Sequence, residues 1–77
     1  MDEVIQDLHA ETEKVFCHYE KCLVRLNVSR TKLFGGDKTE LKEFRAALDA
    51  INTAELMRNR AVSLLTEYYE SRAKGLI

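Results

Sequence analysis

Apolar residues recur at alternating steps of three and four through the first half of this chain: Ile5, Leu8, Thr12, Val15, Tyr19, Cys22, Leu26, Ser29 and Leu33. That is a heptad seam whose only polar members are Thr12 and Ser29, and it predicts an amphipathic helix over about residues 2–34. Phe16 and Leu23 widen the stripe to one side. A second run, Leu41, Phe44, Leu48, Ile51, Glu55, Arg58, Val62, Leu65 and Tyr69, continues the pattern with two charges in its middle. It predicts a helix over about residues 38–74. Between the two runs lies Gly35-Gly36-Asp37, and proline is absent throughout. The expected fold is all-α: two long antiparallel helices forming one helical-hairpin domain across residues 1–77.

The turn residues carry both a stop and a restart. Gly35 or Gly36 takes the left-handed conformation that ends a helix without a Cβ penalty. Asp37 is a good N-cap, and Glu40 three residues later completes a capping-box arrangement. In a tight hairpin the numbers of facing residues sum to about 74. Leu33 is then expected opposite Leu41, Leu26 opposite Leu48, Thr12 opposite Val62, Leu8 opposite Leu65 and Ile5 opposite Tyr69. Tyr19 falls opposite Glu55, a partner for its hydroxyl. The first helix starts acidic (Asp2, Glu3, Asp7, Glu11, Glu13) and turns basic (Lys21, Arg25, Arg30, Lys32), which complements its dipole. The antiparallel fold brings that acidic start toward Arg58, Arg60, Arg72 and Lys74, selecting one orientation.

A second stripe lies beside the seam on the second helix: Ala47, Ala50, Ala54, Met57, Ala61, Leu64 and Tyr68. Small residues allow close helix approach, and Met adapts to irregular partners. Alanine is also the best helix former, which accounts for part of the row without any contact. Met57, Leu64 and Tyr68 add bulk that propensity does not require. This stripe is therefore the expected partner-binding face.

Composition narrows the function classes. With 12 basic and 13 acidic residues the net charge is −1, which leaves no electrostatic footprint for nucleic acid. No segment approaches the ~20 apolar residues of a membrane span. The acidic start Met1-Asp2-Glu3-Val4 is unlike a secretory signal, so a cytoplasmic location is expected. Cys17 and Cys22 point about 140° apart on one helix, too divergent for a bridge. His18 and Cys22 sit four apart on one face, but two ligands do not make a structural zinc site. Glu67 and Glu70 beside Tyr68 and Tyr69 read as a solvated helix end. The serines and threonines have no His and acid arranged around them, and the glycine pair lacks the strand and Gly-Lys-Ser/Thr of a phosphate loop. No catalytic, metal or cofactor residues are assigned, and an enzyme is not expected.

With hairpin and turn in hand, the chain resembles the small co-chaperones of type III secretion needle subunits, the YscE, PscE and SsaE group. Some of these carry a Gly-Gly-Asp turn after a Leu/Lys/Arg-rich helix, as in Leu26 to Asp37 here. They also place an Ala-Leu-acid-x-x-Ile-like stretch in the second helix, comparable to Ala47-Leu48-Asp49-Ala50-Ile51. This chain sets that stretch about one helical turn closer to the glycines and extends further past it, through Tyr68-Tyr69 to Ile77. The resemblance implies a cytoplasmic hairpin that pairs with a tetratricopeptide-like chaperone, the two together holding the aggregation-prone needle subunit as a soluble 1:1:1 complex. Two other readings stay open. One is a homodimeric four-helix bundle serving as a structural or assembly module. The other, an RNA-binding hairpin dimer using Arg25, Arg30, Lys32 and Lys38, is disfavoured by the net charge.

Overall fold

A computed structural model describes residues 3–76. Helix α1 runs Glu3–Phe34 and helix α2 runs Leu41–Ala73, joined by a short 3-10 turn at Lys38–Glu40. No strand occurs among the described residues. The two helices lie against each other along their length as an antiparallel hairpin of 57 × 18 × 13 Å. The expected all-α helical hairpin is the observed fold.

Both helices end in the same device. Gly36, at φ 102°, follows the last turn of α1; its N–H donates to the Leu33 carbonyl and the Asp37 N–H to the Lys32 carbonyl. These paired bonds are a Schellman motif, which satisfies carbonyls that the helix end leaves open. Gly75, at φ 76°, repeats the pattern at the end of α2, with bonds to Arg72 and from Leu76 to Ser71. The restart differs from the expected capping box. Asp37 accepts from the Thr39 backbone N–H and from its hydroxyl. Its own N–H is already committed to Lys32, so no donor is left for Glu40 to satisfy. Glu40 instead becomes the residue before α2 and makes no side-chain cap bond. The α-helix proper therefore begins at Leu41, after one 3-10 turn, rather than at Lys38.

On α1 the predicted seam is the observed one: Thr12, Cys22 and Ser29 are buried, and the other positions from Ile5 to Leu33 are half-buried. On α2 it is not. Ala47, Ile51 and Ala54 are buried, Phe44, Ala50, Arg58, Ala61, Leu65 and Tyr68 half-buried, while Leu41, Leu48, Glu55, Val62 and Tyr69 are exposed. The helix is turned by about 50° from the expected orientation. It keeps the column Phe44–Ile51–Arg58–Leu65 and exchanges the column containing Glu55 for the alanine column.

The physical reason is twofold. The expected face would have drawn the Glu55 carboxylate into the seam beside Arg58, a desolvation cost that the rotation removes. The alanines also let the helices close, bringing Ile51 and Ala54 onto Cys22 with Tyr19, Leu26 and Ala50 packed around them. Arg58 stays inside by a different route. Its guanidinium carbon lies 4.4 Å from the centroid of the Tyr19 ring, so Tyr19 meets Arg58 and not Glu55. Both cysteines are free thiols, Cys17 exposed and Cys22 buried.

Candidate docking surface

Two side-chain contacts fix which flanks of α1 and α2 share a side of the hairpin. His9 Nε2 and the Tyr69 hydroxyl are 2.9 Å apart, with their rings edge-on, so the columns carrying His9 and Tyr69 lie together. The Arg25 guanidinium donates to the Glu43 carboxylate, so the columns carrying Arg25 and Glu43 lie together on the other side. Stepping by sevens from each residue then gives the content of each face.

The His9 side holds Phe16, Leu23 and Arg30 from α1 and Leu41, Leu48, Glu55, Val62 and Tyr69 from α2. Its large apolar residues are well exposed: Phe16 38%, Leu23 39%, Leu41 41%, Leu48 36%, Val62 43% and Tyr69 44%. They run the length of the hairpin, with Arg30 and Glu55 as the charges in their columns. We call this the broad face. The Arg25 side holds Glu11, His18, Arg25 and Lys32 opposite Glu43, Ala50, Met57 and Leu64. The ion pair is solvated, holds the Glu43 carboxyl below its ordinary range by its hydrogen bond from Arg25, and raises Arg25 in turn. At the open end Val4, Leu8, Leu64 and Tyr68 line a shallow groove. This second face mixes the charged Glu11, Arg25, Lys32 and Glu43 with exposed Val4, Met57 and Leu64, and we call it the polar side for its charges.

The stripe expected to bind a partner is divided by this arrangement. Ala47 and Ala54 are buried within the hairpin, and Ala50, Ala61 and Tyr68 are half-buried at its seam, so these residues are spent on folding. Met57 and Leu64 remain exposed, on the polar side. The α2 half of the broad face is instead built from residues that the heptad reading assigned to the internal seam, set beside Phe16 and Leu23, which that reading placed at the edge of the α1 stripe. The burial cost of Glu55 was the available signal: a column with a carboxylate at its centre belongs at an edge.

The His18 ring and the Cys22 thiol are 3.6 Å apart, but among the described residues no group of three or more metal-ligating side chains converges. No helix among the described residues is long and apolar enough to cross a membrane. Neither a family model, nor a curated protein, nor a solved structure matches the chain.

Proposed function

We propose that this chain is a non-catalytic binding module whose broad face takes up an amphipathic helix of a partner protein. The observation that carries the reading is the continuous exposure of Phe16, Leu23, Leu41, Leu48, Val62 and Tyr69 on one side of the hairpin. Six such side chains expose roughly 500 Å² together, at the upper end of what a monomer leaves uncovered. A helix laid along paired helices buries its own apolar stripe in the same step.

On the resemblance of the turn and of Ala47-Leu48-Asp49-Ala50-Ile51, the specific proposal is a cytoplasmic co-chaperone of type III secretion. With a tetratricopeptide-like chaperone it sequesters the needle subunit and prevents premature polymerisation. The hairpin fold and the uncovered apolar face are what such a role requires. The test is co-expression with the needle subunit and the tetratricopeptide-like chaperone found from the genes neighbouring this one, followed by pull-down. A 1:1:1 complex that Val62→Glu or Leu48→Glu disrupts and Met57→Glu spares is the expected result. No complex, or one lost only with Met57→Glu, overturns the reading.

A further inference from the structure

We propose that the free chain pairs with a second copy of itself through the broad face, forming a twofold-symmetric four-helix bundle. This stands apart from the partner reading, because its argument is the stability of the hairpin alone. Among the described residues the buried ones are Cys22, Ala47, Ile51 and Ala54, with the polar Thr12 and Ser29. Two of the four apolar ones are alanines, and even with the half-buried seam around them a core of that size leaves a small domain only marginally stable. A second apolar layer adds stability, and the broad face offers it.

The area fits. Roughly 500 Å² of exposed apolar side chain, plus the polar rim around it, approaches the ~800 Å² per partner of a stable interface. The charges choose the symmetry axis. With the axis across the helices near the middle of α1, α1 stacks on α1 and Glu20 comes against Glu20 of the other copy. With the axis along the helices, α1 of each copy stacks on α2 of the other. Glu13 and Glu20 then face the uncharged Thr66 and Asn59. Phe16 of one copy stacks on Val62 of the other. Arg30 enters the same interface column as Glu55 of the other copy, one heptad along and opposite in sign.

Sedimentation equilibrium of the purified chain alone, from about 1 to about 200 µM, tests this, with the thermal midpoint followed over the same range. The expected result is a species of twice the 8.9 kDa chain mass whose midpoint rises with concentration. Val62→Glu should raise the dimer dissociation constant at least ~10-fold and Met57→Glu should leave it unchanged. A chain that stays monomeric throughout, or a dimer dissolved by Met57→Glu and not by Val62→Glu, overturns the proposal. Should Val62→Glu fail to fold at any concentration, the unmodified chain decides alone: a midpoint independent of concentration rejects the dimer.

Discussion

Among the described residues Ser29 is the most deeply buried polar side chain, and its hydroxyl has no hydrogen-bond partner. Thr12, the other polar member of the α1 seam, resolves the same problem by bonding back to the Leu8 carbonyl at 2.7 Å. Ser29 keeps the desolvation cost and gains only the small volume that lets α2 approach near the turn. Ser29→Ala preserves that volume, removes the orphan hydroxyl and adds helix propensity, so it should stabilise the fold by about 0.5–1 kcal/mol in chemical denaturation. The Arg25–Glu43 pair makes a different residue-scale prediction, one of pH. Glu43 is held below its ordinary value in the folded state by the Arg25 hydrogen bond. A depressed folded-state value means the pair's contribution is present above the ordinary glutamate range and is lost as pH falls through the lowered value. The stabilities of the unmodified chain and Glu43→Gln should therefore converge in acid and separate toward neutrality, with the gap narrowed by salt. A gap that persists under acid conditions contradicts this assignment.

At the scale of the elements, the helices and their ends were largely legible in the residue pattern. The α1 seam followed from periodicity because it contains no charge and therefore admits one inward face. The turn followed from a single pair of glycines in an otherwise uninterrupted pattern. What the pattern left undecided between the two glycines is which of them is strained, and geometry answers it. Gly36 has φ 102°, whereas a Cβ on Gly35 meets only carbonyl oxygens of Thr31 and Lys32 at 3.3 and 3.4 Å. Gly36→Ala should cost about 1–2 kcal/mol and Gly35→Ala less, measured by thermal denaturation of the two variants. Equal effects would place the left-handed residue elsewhere. The cap at Gly75 was not read from the sequence, since a glycine two residues from the end carries no pattern after it.

The rotation of α2 decides what the whole molecule offers to a partner, and it was the part least legible beforehand. Two columns competed for the seam: one bulky and interrupted by Glu55, the other built of alanines with Met57 and Leu64 beside it. Counting apolar bulk favours the first. Weighing the cost of a buried carboxylate and the closeness that alanine permits favours the second, and that is the arrangement found. The bulky column is thereby moved outward, beside Phe16 and Leu23, and becomes the broad face. The central claim is that Ala54 lies inside, Val62 on the broad face and Met57 on the polar side. Thiol-labelling rates test it most directly, using Ala54→Cys, Val62→Cys and Met57→Cys one at a time in a Cys17→Ser background. Each is measured in the dilute free chain and again after addition of the proposed chaperone and needle subunit. Position 54 should be protected in both states, position 57 reactive in both, and position 62 reactive when free and protected in the complex. Rapid labelling at 54, or protection that appears at 57 while 62 stays reactive, would contradict the account.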